Sequence, residues 1–166
     1  MNLDAILYPR HQLGIGYRGD MTRIALEDVY MEGFEDFMEN MQSELEMFID
    51  HLERHGFSVP WPEGDWEAVS PALSRLAPNP DAEDEDAVLI QFSAGRYVGE
   101  VARQRAGGAW QLVGPIRGES SEPMPMITGH QCRNGFPFNP FAVVDEFLRE
   151  GCRTPLASIA QRHLDM

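Results

Sequence analysis

The sequence predicts a single α+β domain, mainly helical with a small antiparallel sheet, and three observations carry that reading. Apolar residues between Tyr30 and Leu52 recur at steps of three and four, the spacing of one helix face. Cap-plus-proline pairs stand at Ser70-Pro71, Asn139-Pro140 and Thr154-Pro155, where helices commonly begin. Two short apolar stretches, 109–113 and 124–128, flank a polar loop as the strands of a hairpin do. With 166 residues and 43% apolar composition, the chain fills one modest core. It divides into an N-terminal arm (1–22), an acidic helical half (23–86), and a second half (87–166) holding a helix, the sheet and the C-terminal helices.

In chain order, Tyr30, Phe34, Phe37, Met38, Met41, Leu45, Phe48, Ile49 and Leu52 form the apolar stripe of one helix, capped at Thr22 and stopped at Gly56. Two prolines and a glycine in 58–65 make a connecting turn, anchored by Trp61 and Trp66. A short helix follows from Pro71 to Leu76, with Ser70 the expected cap before it. The acidic run 81–86 favours a helix start, and Val88, Leu89, Phe92, Tyr97, Val98 and Val101 supply apolar material as far as Arg105. Gly95 and Gly99, four apart, predict a groove where another backbone approaches. Gly107-Gly108 ends that helix and admits the hairpin. The last two helices run from Pro140 to Gly151 and from Pro155 to about Leu164.

All 13 basic residues are arginine, so chemistry that requires lysine, such as a phosphate-loop lysine or a Schiff base, is excluded. Against 27 acids they leave a net charge of −14, which disfavours nucleic acid and anionic membranes as partners. The excess is local: 27–86 holds 18 acids and only Arg54 and Arg75, whereas the rest of the chain is near neutral. Ten acids from Glu27 to Glu53 have no arginine among them, so like charges repel without the usual support of cations a turn away. A helix so charged is a candidate binding face for a basic partner. The candidate partner-binding residues are Glu32, Glu35, Asp36, Glu39, Glu46 and Asp50, with Trp61 and Trp66 as aromatic anchors. No signal peptide or apolar span is visible in the sequence, and two cysteines are too few for a disulfide scaffold, so a cytoplasmic protein is expected, monomeric or dimeric when free.

The chemical motifs are incomplete. Gly14-Ile-Gly-Tyr-Arg-Gly19 has the glycine spacing of a dinucleotide-binding turn but lacks the following strand, so a loop is expected there. His51 and His55 share a helix face at metal-ligand spacing, without the glutamate of a zincin and without a third ligand at a recognisable distance. His130 and Cys132 form a thinner nucleophile pair, with Cys152 the other thiol. These pairs define the alternative reading, a small metal-dependent or Cys/His hydrolase or transferase. The leading expectation is a protein with no catalytic residues, no metal and no cofactor.

Tyr97-Val-Gly-Glu-Val101, Gly107-Gly-Ala-Trp110, Pro137-Phe138 and Pro140-Phe-Ala-Val-Val144, with Gly151 before a last helix, resemble the pattern of a small uncharacterised bacterial domain. The resemblance covers roughly 89–164. By analogy, small acidic proteins of this kind are similar to immunity proteins of bacterial toxin cassettes, including those of type VI secretion. The comparison implies an inhibitor in bacterial competition that occludes the basic nucleotide- or nucleic-acid-binding cleft of a cognate toxin enzyme.

Overall fold

The computed structural model describes residues 23–114, 122–131 and 135–165, with side chains from residue 28 onward. The described chain is mainly helical with one two-stranded antiparallel sheet, as the sequence predicts. Its elements are α1 (Arg23–Glu39), α2 (Met41–Arg54), a 3-10 turn (Trp66–Val69), α3 (Ser70–Leu76), α4 (Glu85–Ala106), β1 (Ala109–Val113), β2 (Met124–Thr128), α5 (Pro140–Arg149) and α6 (Leu156–Asp165).

The long N-terminal helix is interrupted at Asn40, which the periodicity does not show. The Asn40 side chain donates to the Asp36 carbonyl at 2.9 Å, and the Ser43 hydroxyl donates to the Asn40 carbonyl at 3.0 Å. They stand beside backbone bonds that continue the helical pattern, Asn40 N–H to the Asp36 carbonyl and Glu44 N–H to the Asn40 carbonyl, so a single turn residue separates α1 from α2. The inward stripe survives the interruption: Phe37, Met41, Leu45, Phe48, Ile49 and Leu52 are buried. Met38, expected on that stripe, faces outward and is 39% exposed.

At the centre lies α4, capped by Asp84, whose carboxylate accepts the Ala87 amide at 3.0 Å. From Phe92 to Ala102 every residue is buried, so this helix is covered on all sides rather than along one stripe. Leu89, in its first turns, is the predicted core residue that stays exposed. Gly95 and Gly99 do open a groove, but aromatic rings rather than a backbone fill it. Phe141 of α5 lies on Gly95 and Trp110 of β1 lies on Gly99, each so close that a Cβ would overlap the ring. Phe37 of α1 completes the cluster, edge-on to Trp110 at 5.2 Å between centroids.

The predicted caps are partly reassigned. Asn139 caps α5 as expected, accepting the amides of Phe141 and Ala142 at 3.1 Å. Ser70, by contrast, is inside α3; its hydroxyl donates back to the Glu67 carbonyl, and Asp65 caps the preceding 3-10 turn. Glu67 reaches across the fold to accept the Ala157 amide of α6 at 2.7 Å. At the other end of α6, His163 donates to Glu146 of α5 at 2.5 Å, and Arg162 contacts the same carboxylate. A carboxylate from another element thus holds each end of the last helix.

Two outcomes test this packing. Gly99→Ala should destabilise the protein by about 1–3 kcal/mol in urea unfolding, because displacing the indole outweighs the roughly 1 kcal/mol that alanine gains in a helix. The hydrogen bond from His163 chiefly, with the His163 and Arg162 charges opposing partial burial, holds the Glu146 carboxyl below its ordinary value. A depressed folded pKa stabilises above the unfolded value of about 4.3–4.5 and is lost as pH falls through the folded value. Glu146→Gln should therefore be less stable than the parent near neutral pH, and the gap should close in acid when melts are compared across pH.

Candidate functional site

On α1, Glu32, Glu35, Asp36 and Glu39 stand at i, i+3, i+4 and i+7, so they share one face, and all four are exposed. Met31 and Met38 are also exposed and continue the same face on the side of Glu35. On α2, Glu46, Asp50 and Glu53 are exposed along with Met47. Flexible thioethers among carboxylates make a surface that is charged yet able to form apolar contact with partners of differing shape.

What distinguishes this face is where the arginines go. Arg103 pairs with Glu100, Arg105 with Asp65, Arg149 with Asp81 and Asp145, and Arg162 with Glu146 and Glu150. Among the described residues none pairs with Glu32, Glu35, Asp36, Glu39, Glu46, Asp50 or Glu53. Arg54 donates to the backbone carbonyl of Asp50 rather than to a carboxylate, and Glu46 accepts only from Gln42, at 2.6 Å. Among the described residues, arginines pair with acids of α4, α5 and α6 and with Asp65 and Asp81, and with none on the outer faces of α1 and α2.

Glu44 is the exception on α2, and it fixes how that helix sits. It turns inward to Arg96 of α4 at 3.4 Å. The Arg96 guanidinium is buried between the rings of Phe37 and Phe92, 4.7 and 5.0 Å from their centroids. Burial lowers its pKa from the ordinary value and the Glu44 charge partly restores it. Its Nε has no hydrogen-bond partner, so ring faces and one carboxylate compensate for most of the lost solvation. One turn on, Glu100 is also buried, accepting the Trp110 indole N–H at 2.6 Å and bonds from Nε and one terminal nitrogen of Arg103. These buried charges escape a periodicity reading because they lie on a helix face that would otherwise pass as solvated.

Trp66 is not available as a surface anchor. It is 3% exposed, its indole donates to the Val98 carbonyl at 3.2 Å, and Arg105 lies over its ring. Trp61 is half-buried against Tyr97, whose hydroxyl donates to the Pro60 carbonyl. Met31 and Met38, by contrast, are exposed apolar side chains beside the acids of α1. Their signal was available: Met31 and Met38 fall on the same helical arc as Glu35.

The structure brings His51 and His55 together, ring centroids 4.5 Å apart, with His55 Nδ1 donating to the His51 carbonyl at 2.9 Å. Partial burial first, then the His55 and Arg54 charges, lower the His51 pKa, with Asp86 opposing. Among the described residues no group of three or more His, Cys, Asp or Glu side chains could hold a metal. His130 is buried, its Nε2 2.8 Å from the Phe136 carbonyl, and Nδ1 has no partner. Cys132 and the Gly14–Gly19 loop lie outside the described residues, and Cys152 is a half-buried free thiol. Among the described residues no helix is long and apolar enough to cross a membrane.

No protein-family model, curated protein sequence or solved structure matches this chain. Glu44→Gln should lower stability by about 1–2 kcal/mol in urea unfolding, because a largely buried guanidinium loses its one carboxylate while the outer acids keep their places.

Proposed function

We propose that the protein is a cytosolic inhibitor that binds a basic enzyme cleft through the outer faces of α1 and α2, as an immunity protein binds its cognate bacterial toxin. The observation that carries this reading is the stripe of Glu32, Glu35, Asp36 and Glu39, exposed beside Met31 and Met38 and without cationic partners among the described residues. Four carboxylates on one helix face repel one another, and a basic surface relieves that repulsion.

A cleft that holds nucleotide or nucleic-acid phosphates must present arginines and lysines. An acidic ridge entering it meets those cations and excludes the substrate, so inhibition needs no chemistry from the inhibitor. The field of the ridge speeds encounter, and the methionines supply contact that desolvates without demanding one fixed shape. The toxin-inhibitor assignment draws on the likeness to small acidic immunity proteins; the acidic interface draws on the geometry alone.

The test begins with co-purification of this protein with the products of neighbouring genes, followed by association kinetics on the enzyme so found. Glu32→Arg/Glu35→Arg should weaken binding by about tenfold or more, mainly through loss of steering and like charges facing the cleft. Parent association should slow as salt rises and the Debye length falls below its physiological value of about 8 Å, and the variant should respond less. The variant should melt no lower than the parent, since repulsion within α1 is relieved. Unchanged binding by the folded variant would remove this face as the interface.

A further inference from the structure

Only one of the two edges of the hairpin is covered by described residues. Beyond β2, Ile127 donates its N–H to the Phe138 carbonyl at 2.9 Å and accepts the Phe138 N–H at 2.8 Å. Backbone groups alternate sides along a strand, so Ile127 points away from β1. The ladder bonds between the strands therefore fall at Ala109–Thr128, Gln111–Met126 and Val113–Met124. The N–H and C=O groups of Trp110 and Leu112 face the opposite edge, where no described residue pairs with them.

Among the described residues that edge carries none of the charges, prolines or bulges that normally prevent strand addition. Ala-Trp-Gln-Leu-Val contains no charge and no proline, and its register with β2 is regular, without a bulge. Leu112 and Val113 are only half-buried, so apolar surface remains for a neighbouring strand to cover.

We propose that the β1 edge binds the same edge of a second copy of this chain, antiparallel, doubling the two-stranded sheet across a two-fold axis at Gln111. The strand fits itself in this register. Trp110 lies opposite Leu112 of the second copy, so the residues whose backbone groups face outward form the hydrogen-bonded pairs. Gln111 meets its own copy at the non-hydrogen-bonded pair, where Cα atoms approach to about 4.5 Å and two exposed amides can bond. Charge is compatible with the same choice. The acid excess lies in 27–86 and neither strand carries a charge, so pairing these edges sets no like charges of the strands against each other.

Sedimentation equilibrium of the full chain between about 1 and 100 μM tests the proposal without any partner protein, so its outcome is separate from that of the acidic interface. The parent should dimerise with rising concentration, and the Trp110 and Leu112 amides should become protected from hydrogen exchange as it does. Gln111→Lys and Gln111→Glu each set like charges across the axis and should weaken the dimer about fivefold or more, while an equimolar mixture of the two restores it. The Gln111 side chain is exposed and the ladder to β2 is made by backbone, so both variants should melt as the parent does. A parent that stays monomeric, a dimer indifferent to both variants, or a mixture that fails to reassociate would overturn it. Protection of these amides only on adding an extended foreign peptide would assign the edge to a different protein's strand and likewise overturn it.

Discussion

The structure depends on a helix that is buried on all sides. A helix ordinarily hides one stripe, and its polar residues have somewhere to go. Between Phe92 and Ala102, α4 has no solvated face, so neighbours must approach from every direction. Gly95 and Gly99 make this possible on one side by letting Phe141 and Trp110 lie almost on the helix backbone. Tyr97 and Val98 receive the turn carrying Trp66 on another side. Arg96 and Glu100 meet the same constraint with charge, one between two rings beside Glu44, the other held by an indole and a guanidinium.

That arrangement has a consequence for the surface. Arginines in the second half pair with Glu100 and Asp145 within their own helices, while Arg105–Asp65, Arg149–Asp81 and Arg162–Glu146 join separate elements. Glu44 is drawn inward to a buried guanidinium and so fixes α2 against α4. The acids on the outer side of α1 and α2 are left without such partners among the described residues. Their positions are therefore set by the core beneath them, while their charge is unspent in holding the fold together.

The hairpin shows the same division between stability and availability. Its inner face supplies Trp110 and Ile127 to the core, and Phe138 covers the β2 side. On the β1 side no described residue pairs with the backbone, and the strand sequence is uncharged. Acidic helix face and neutral strand edge differ in chemistry, one suited to long-range attraction of a cation-rich surface and the other to short-range backbone pairing.

The sequence by itself determined the fold class, the existence of most elements and the acidity of the first half, because these follow from short-range spacing. Periods of three and four, a cap three residues from its amide, or proline after Asn139 are settled within a turn or two of chain. The same locality made Glu32, Glu35, Asp36 and Glu39 legible as one face. What only the tertiary structure decided was which side of a residue is covered. Trp66 reads as a surface anchor until Val98 and Arg105 enclose it, and Met38 reads as core until the packing of α1 through Phe37 leaves it on the exposed arc of that helix. Glu67 looks like a solvated acid until α6, 90 residues away in sequence, offers it an amide. Burial and pairing of this kind are set by contacts between distant segments, and residue spacing contains no term for them.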